Sequence, residues 1–219
     1  MDVVAADLKP DPDGPGEPVA CDLTTREGNR AVVTAAIERF GRIDAVIPNA
    51  GFQHVDPIAD FPEERWEQLV ALLLTSPFLL AKYAWAELSR SGEGRYVAVA
   101  SAHGLVASPY KAAYVSAKHG LLGLVKTLAL EGAPAGIRAT AVCPGFVRTP
   151  LVESQIASQA RANDVPEERV LEDVILAPHA IKQLIEPEQV AEVVAFLLGP
   201  NGATFTGVPV SMDQGWTAR

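Results

Sequence analysis

Between Ser101 and Lys118 the chain reads SAHGLVASPYKAAYVSAK, and this stretch says most about fold and chemistry. Tyr114 and Lys118 lie four residues apart in an alanine-rich run, so on a helix they share one face. Because a neighbouring ammonium favours the phenolate, we expect it to lower the pKa of Tyr114 from the free value of about 10. Ser101 ends an apolar, strand-like run and offers a hydroxyl to an oxygen that gains charge. Together these residue types indicate proton exchange with an alcohol or ketone.

Two turns flank this stretch at regular intervals. Pro48-Asn49-Ala50-Gly51 follows the apolar run 43–47, and Cys143-Pro144-Gly145 follows the run 137–142. With all three motifs in this order, the chain resembles the short-chain dehydrogenase/reductase family, which moves hydride between nicotinamide and a carbinol or carbonyl carbon. The first turn is similar to the family's Asn-Asn-Ala-Gly turn, with Pro48 in place of the first Asn. The second is similar to its Pro-Gly turn beside the nicotinamide.

The rest of the chain is consistent with the α/β class. Short runs rich in Val, Ile and Ala alternate with longer segments of helical period, a pattern typical of βαβ units and a parallel sheet. The predicted strands are 3–6, 18–22, 45–48, 95–100, 138–142 and 208–211, and long helices are predicted within 62–90 and 110–131. We therefore predict one domain over residues 1–219, a Rossmann-like, doubly wound parallel sheet.

The N-terminal part departs from the family pattern. Family members begin with a strand, a Thr-Gly-x-x-x-Gly-x-Gly turn and a helix that together hold the cofactor pyrophosphate, and this sequence contains no such turn. Its opening run 3–6 is similar to the family's second strand. The early pair Gly14 and Gly16 lies in the Pro-rich stretch DPDGPGEP, which predicts a loop. We therefore expect an N-terminally truncated fold that lacks the first βα unit.

A missing first strand would leave a gap at the centre of the family's sheet. Such a gap exposes backbone hydrogen-bonding groups and opens the core. Three explanations stand side by side: the native chain starts upstream of Met1, the sheet closes differently, or a partner chain covers the gap. Met1 stands where the family usually has a small residue, which fits the first explanation.

Composition narrows the possible partners. The formal net charge of -9, with no basic block, argues against nucleic-acid binding. Cys21 and Cys143 fall in apolar runs, which predicts reduced, buried thiols in a cytoplasmic protein rather than a disulfide or a metal site. The apolar run 69–81 contains Thr, Ser and Pro and is too short for a bilayer, so we expect no membrane insertion.

Segment 149–186 is predicted to be a substrate lid. It contains no strand-like run and is interrupted by Pro166 and Pro178, which predicts two short helices around a mobile connection. The resemblance places this segment over the nicotinamide side of the cleft. A passive helical cap is the alternative.

The resemblance implies NAD as cofactor. Asp7 would favour NAD over NADP by accepting a hydrogen bond from the free 2′-hydroxyl and repelling a 2′-phosphate. The catalytic residues it implies are Ser101, Tyr114 and Lys118. The cofactor-binding residues it implies are Asp7, Asp22, Leu23, Asn49, Ala50, Gly51, Tyr114, Lys118, Pro144, Gly145, Val147 and Thr149.

Polar residues near these motifs narrow the substrate class. Gln53, His103, Lys111 and Gln155 would supply several donors and one firm positive charge, which suits a carboxylate. Taken singly, each has a more ordinary interpretation: His103 would order a turn, Lys111 would be a solvated charge, and the two glutamines would be surface amides. Their positions, the phrase TPLVESQI and the terminal Gly-Trp-Thr-Ala resemble the 3-hydroxybutyrate dehydrogenase branch of the family. The implied substrate-binding residues are Gln53, His103, Lys111, Phe146, Gln155 and Trp216.

Two internal residues depart from the pattern. Leu73 stands where many family members keep an Asn, and leucine cannot relay a proton from Lys118 through water. Phe146 stands where this branch often has a Trp, which keeps an aromatic wall and slightly enlarges the pocket.

These observations predict an enzyme that interconverts 3-hydroxybutyrate and acetoacetate, with Tyr114 as general acid and base. The resemblance also implies a homo-oligomer, a dimer or tetramer, in part through the helix rich in small residues within 110–131. One alternative is a truncated scaffold that binds NAD poorly and serves as an oligomerising partner. Another is a dehydrogenase of a different small hydroxy acid or sugar acid.

Overall fold

The computed structural model describes residues 2–218; Met1 and Arg219 lie outside the described part. The strands are β1 (Val4–Asp7), β2 (Glu17–Ala20), β3 (Ala45–Val46), β4 (Arg95–Val99), β5 (Arg138–Pro144) and β6 (Pro209–Met212). The α-helices are α1 (Arg26–Phe40), α2 (Glu63–Val70), α3 (Ser76–Ser91), α4 (Ala112–Gly132), α5 (Pro150–Glu153), α6 (Ile156–Asn163), α7 (Glu167–Val170) and α8 (Pro187–Leu198). This alternation confirms the predicted α/β class, and most predicted strand ends lie within a residue or two of the observed ones.

The strands form two separate parallel sheets. One sheet has the order β1-β2 and the other the order β3-β4-β5-β6. Val4 and Ala6 of β1 and Val46 of β3 all pack against one apolar cluster formed largely by α1 and α3. The two sheets therefore rest on the same helical layer, yet no ladder joins them among residues 2–218. The sheet does not close differently to fill the expected gap.

Helices cover both faces of the larger sheet, as a doubly wound fold requires. In β4, Tyr96 and Ala98 pack with α4, whereas Val97 packs with α8. Side chains alternate between the faces of a strand, so consecutive residues of β4 reach opposite helical layers. The sheet is thereby held with its carboxyl-terminal edge accessible, where the site described below lies.

The predicted loop between β1 and β2 is present. Residues 8–16 form turns, and Gly16 adopts a φ of 101° beside the carbonyl of Val3. A Cβ at Gly16 would lie 2.8 Å from that oxygen, which accepts the Glu17 N–H at 2.7 Å. Glycine is required here because the crossover brings the two strands together through a left-handed turn.

A single helical segment of 29 residues, Glu63–Ser91, joins α2 and α3 through a π-helical turn at Ala71–Thr75. By length and composition alone this helix could span a membrane, since it extends well beyond the apolar run 69–81 on both sides. Within the fold its residues Leu69, Leu73 and Leu88 are buried in the core. Helices in the core of a protein are commonly as long and as apolar as this one, because they are buried against the rest of their own chain.

Buried polar contacts join α1 to this helix. Asn29, which is fully buried, accepts a hydrogen bond from Ser76 Oγ at 2.7 Å and donates from Nδ2 to the carbonyls of Leu23 and Thr25. Every polar atom of the Asn29 side chain is therefore paired, and the start of α1 is fixed against the start of α3.

The predicted lid contains more helical segments than expected. Three short helices, α5 to α7, and a π-helical turn at Leu171–Ile175 replace the two helices predicted. Asp164 ends α6 in the left-handed region, with a φ of 53°, and Pro166 begins α7. The two ends of the segment contact each other, since Val147 pairs with Ile185 and Arg148 forms an ion pair with Glu186 at 2.9 Å.

Candidate active site

A cavity of about 740 Å³ opens at the carboxyl-terminal edge of the larger sheet. Its size falls in the range typical of small-molecule sites. Among its lining residues are all three predicted catalytic residues, all six predicted substrate-binding residues and most of the predicted cofactor-binding residues. These are Asn49, Gly51, Gln53, Ser101, His103, Lys111, Tyr114, Lys118, Pro144, Gly145, Phe146, Val147, Thr149, Gln155 and Trp216.

Ser101 and Tyr114 both line the cavity, and hydrogen bonding by the Ser101 side chain favours the Tyr114 phenolate. Ser101 lies two residues after the end of β4 and accepts the His103 N–H at 3.1 Å, while Tyr114 lies in the first turn of α4. Burial raises the pKa of Tyr114, and the Ser101 hydrogen bond opposes that rise by favouring the phenolate. A serine hydroxyl and a phenol thus point to one place, where an alcohol or carbonyl oxygen could accept or donate a proton.

Lys118 lies one turn along α4 but does not control the Tyr114 phenol as expected. Its Nζ donates to the Val99 carbonyl at 2.8 Å and lies 5.6 Å from the centre of the Tyr114 ring. The predicted lowering of the Tyr114 pKa is therefore wrong for this structure: burial raises that pKa, and the opposing contribution comes from Ser101 rather than from Lys118. Burial also lowers the pKa of Lys118 to about 8.

Lys111 places a second ammonium in the same cavity. It is buried, with 2% of its surface exposed, and no carboxylate of the described residues pairs with it. Its Nζ donates to Gln155 Oε1 at 3.1 Å and lies 4.8 Å from the centre of the Phe146 ring. Burial lowers the pKa of Lys111 to about 8. Since a buried cation is stabilised chiefly by an anion, this position suits an anionic ligand.

Aromatic rings form one wall of the cavity. Phe146 stacks on Trp216 with ring centres 5.6 Å apart, and His103 contacts Trp216 edge-on at 4.8 Å. His103 Nε2 also hydrogen-bonds Ser108 Oγ at 3.0 Å. The pKa of His103 lies well below its usual value, first because of burial and then because of Lys111, so the ring is neutral at pH 7.

Four predicted cofactor residues do not line this cavity. Asp7 and Asp22 are exposed, and each accepts a hydrogen bond from the backbone two residues later, at Lys9 and Thr24. Leu23 is buried in the core cluster beneath β1, and Ala50 packs against the same cluster. The side chains of these two residues serve packing.

Several lining residues escaped the sequence reasoning. Val99, Leu151, Val152 and residues of α8, among them Val190, complete the apolar walls. Their apolar character gave no signal beyond that of ordinary core residues. The carboxylate of Asp56 and the ring of His54, which form a contact beside the cavity, lie in a loop where no motif marks them.

Leu73 closes the helix side of the cavity. Its side chain is 1% exposed, and one of its methyl groups would lie 3.1 Å from a Cβ added at Gly51. An apolar side chain therefore fills the position where the family pattern often places an Asn, and a proton leaving the site must follow a route through the cavity.

The residues present fit the nicotinamide-ribose part of a dinucleotide. Lys118 Nζ has one hydrogen-bond acceptor among residues 2–218, Val99 O, which leaves donors for ribose hydroxyls. Asn49, Gly51 and Gly145 border the same space. No glycine-rich turn that could hold a pyrophosphate occurs in the described part of the chain. No group of three or more His, Cys, Asp or Glu side chains there could hold a metal ion.

Fold and site together define an α/β oxidoreductase with a Ser-Tyr-Lys centre. The profile of the family described as enoyl-(acyl carrier protein) reductase matches residues 5–217. The chain belongs to the short-chain dehydrogenase/reductase family of oxidoreductases.

Individual relatives are similar over most of the chain. A D-beta-hydroxybutyrate dehydrogenase of Rhizobium meliloti is 46% identical over 198 residues, which cover 90% of this chain and 77% of the relative. Another of that name, from Cupriavidus necator, is 41% identical and covers 82% of this chain and 70% of the relative. The ligand-free aldohexose dehydrogenase of Thermoplasma acidophilum superposes with a TM-score of 0.90 at 25% identity, covering 100% of this chain and 85% of that one.

Proposed function

We propose that the protein is an NAD-dependent dehydrogenase that interconverts 3-hydroxybutyrate and acetoacetate. One observation carries the proposal: a single cavity holds the hydroxyls of Ser101 and Tyr114 together with the buried ammonium of Lys111, which pairs with no carboxylate among residues 2–218. Ser101 and Tyr114 suit a hydroxyl or carbonyl group, and the Lys111 ammonium suits a carboxylate on the same small molecule. The names of the two similar dehydrogenases support this substrate class.

In the proposed mechanism, Tyr114 takes the proton of the 3-hydroxyl during oxidation and returns it during reduction. Ser101 orients that oxygen and, through its hydrogen bond, favours the phenolate form of Tyr114. Lys111, Gln155, Gln53 and His103 hold the carboxylate end, while Phe146 and Trp216 exclude water beside it.

The cofactor would be held by residues on the other side of Tyr114. Lys118 would donate to the ribose, and Asn49, Gly51, Pro144, Gly145, Val147 and Thr149 would border the nicotinamide. A bound nicotinamide supplies the hydride acceptor for oxidation and the hydride donor for reduction. Asp7, exposed at the end of β1, would favour NAD over NADP through its negative charge.

The deciding experiment compares Tyr114→Phe with the parent in NADH formation from 3-hydroxybutyrate. We expect turnover to fall by about 10²- to 10⁴-fold, the usual contribution of a general acid or base. Tyr110→Phe is the matched control, because that tyrosine lies outside the cavity lining. Equal turnover of Tyr114→Phe and parent would eliminate the assignment.

Substrate preference tests the carboxylate part of the proposal separately. Turnover of 3-hydroxybutyrate should exceed that of gluconate and of a neutral alcohol, because a small hydroxy acid would place its carboxylate at Lys111 and its hydroxyl at Tyr114 within one cavity. Preference for gluconate would favour a sugar-acid dehydrogenase, and preference for the neutral alcohol would discard the carboxylate site.

A second candidate is a cofactor-deficient oligomerising partner, which the separation of the two sheets favours. Open strand edges at β1 and β3 invite cover by another chain. In either role we propose a cytoplasmic homo-oligomer, a dimer or tetramer, without nucleic-acid or membrane partners; the two free thiols suit a reducing compartment. A monomer by light scattering would count against the partner role.

A further inference from the structure

The loop after β3 forms a small unit beside the carboxylate end of the cavity. The ring of His54 contacts the Asp56 carboxylate through Nε2 and packs edge-on against Phe61 at 5.3 Å. A carboxylate only accepts, so the hydrogen lies on His54 Nε2. Val55, between the two, is buried at 5% exposure. Three consecutive residues of this loop are therefore held by contacts of their own side chains.

This unit orients Gln53. Its Oε1 accepts the backbone N–H of His54 at 3.0 Å, which fixes which end of the amide is oxygen. Its Nε2 donates to no atom of the part of the chain that the structure describes, although Gln53 lines the cavity. The amide is thus left with donors available to a ligand acceptor.

The same unit contacts the residue before Lys111. Tyr110 has a φ of 67°, a left-handed conformation that non-glycine residues adopt rarely and at a cost. Its carbonyl accepts the backbone N–H of Asp56 at 3.0 Å. The left-handed residue turns the chain immediately before Lys111, the residue that caps α4 and whose ammonium is buried.

Two donors of the proposed carboxylate site therefore depend on one loop. We propose that His54 and Asp56 act as a pair of positioning residues, which set Gln53 through the His54 N–H and Lys111 through the Tyr110 carbonyl. Neither side chain lines the cavity, so the pair acts through other residues. This inference rests on the proposed function of the same site, in which Gln53 and Lys111 hold a carboxylate.

The pair should affect one end of the substrate only. Ser101, Tyr114 and Lys118 come from other parts of the fold and form no hydrogen bond, ion pair or ring contact with His54 or Asp56 among residues 2–218. Loss of the pair is therefore expected to raise KM for 3-hydroxybutyrate about tenfold, the scale of one hydrogen bond to a charged group. The value of kcat, the turnover of a neutral alcohol and the affinity for NADH should remain close to those of the parent.

The test measures these constants for Asp56→Ala, His54→Ala and the double variant. If the two act as a pair, the double variant should be no worse than the worse single variant, whereas independent residues would give additive losses. Asp60→Ala is the matched control, because this change removes the same charge from the same loop and the Asp60 side chain forms no hydrogen bond or ion pair among residues 2–218. Equal melting temperatures would show that all variants fold.

A change at Tyr110 separates a positioning role from a general loss of structure, because only a positioning role predicts that KM recovers when residue 110 adopts its backbone conformation more easily. Asparagine tolerates the left-handed region better than tyrosine. Tyr110→Asn in the Asp56→Ala background should therefore recover part of the lost affinity for the substrate, while the same change in the Asp60→Ala control should leave KM unchanged. An unchanged KM in Asp56→Ala, or a loss in kcat and KM alike, would overturn the positioning role.

Failure of the two proposals can be told apart. If the parent turns over 3-hydroxybutyrate and Asp56→Ala matches it, only the positioning role fails. If the parent turns over no hydroxy acid, calorimetric titration with butyrate replaces the kinetic readout. Weaker butyrate binding by Asp56→Ala than by Asp60→Ala would then support the positioning role, and equal binding or none by the parent would contradict it.

Discussion

Lys111 is the residue whose protonation should respond most to a ligand. Burial lowers its pKa to about 8, and the ammonium form, which attracts a carboxylate, is present below that pH. Carboxylate affinity should therefore be highest below pH 8 and fall about tenfold for each further pH unit, until the higher pKa of the bound state is passed.

Calorimetric titration of butyrate between pH 6.5 and 9.5, a range of about three units around this pKa, measures this dependence. Lys111→Met serves as the comparison, since it keeps an unbranched side chain without charge. Its binding should be weak and nearly independent of pH over the same range. A parent affinity that rises above pH 8 would contradict the assignment of the anion site to Lys111.

Ser101 supplies the hydrogen bond that opposes the burial-raised pKa of Tyr114. In Ser101→Ala that pKa should rise further, so the pH at which oxidation reaches half its maximal kcat/KM should move upward. Ser108→Ala is the matched control, because Ser108 bonds His103 instead of Tyr114. The same half-maximal pH in Ser101→Ala and parent would show that the phenol titrates independently of Ser101.

At the residue level, the sequence identified groups whose spacing carries meaning. Tyr114 and Lys118 are one helical turn apart, and the cavity holds both. Spacing could not show that the Lys118 ammonium bonds Val99 O, and so the expected effect on the Tyr114 pKa was wrong. The contact of His54 with Asp56 depends on a loop conformation that no periodic pattern encodes.

Helices α1 and α3 depend on one buried side chain. Asn29→Ala would leave the Ser76 hydroxyl and the carbonyl of Leu23 without their partner, while the Thr25 carbonyl would keep the backbone N–H of residue 29 at 3.3 Å. Unsatisfied buried groups cost about 1–3 kcal/mol each, so for these two groups we expect a loss of unfolding free energy of about 2–6 kcal/mol.

Urea denaturation measures the loss in Asn29→Ala. Asn163→Ala is a suitable comparison, because among residues 2–218 the Asn163 amide donates hydrogen bonds only to Gln159, one turn earlier in α6. Its midpoint should lie much closer to that of the parent. Equal midpoints for the two variants would mean that the buried contacts between α1 and α3 contribute little.

Elements of regular period were predicted well, and irregular ones were not. Strands β4 and β5 each begin with an arginine and continue as largely apolar runs, RYVAV and RATAVCP, a sign of buried parallel strands. The lid segment gave the wrong number of helices, because a left-handed Asp164 ends α6 without any glycine to signal it. Sequence patterns register glycine and proline breaks far better than breaks at other residues.

For the whole molecule, the division into two sheets predicts unequal stability. A two-stranded sheet is marginal by itself, whereas β4 and β5 each have neighbours on both sides. Amide hydrogens of β1 and β2 should therefore exchange much faster than those of β4 and β5, as hydrogen exchange read by mass spectrometry can measure. Equal protection of both sheets would indicate that the gap between β1 and β3 is covered in solution.

The sequence predicted a gap in the sheet, but it could not show whether the neighbouring strands would pair across that gap. Pairing of β1 with β3 would have required a shift of one strand position, and both strands are already fixed on the cluster formed with α1 and α3. The gap remains because side-chain packing against a common helical layer holds the strands apart. Local sequence cannot report such a balance between distant elements.

Calorimetric titration of NADH into the protein tests the central claim most directly, because the proposed hydride transfer requires that complex. The account predicts saturable binding of one NADH per chain that Lys118→Ala weakens, since Lys118 has free donors beside the nicotinamide space. Absence of binding would contradict the proposed cofactor site and favour the role of a cofactor-deficient partner. Binding that Lys118→Ala leaves unchanged would contradict the placement of the cofactor beside Lys118.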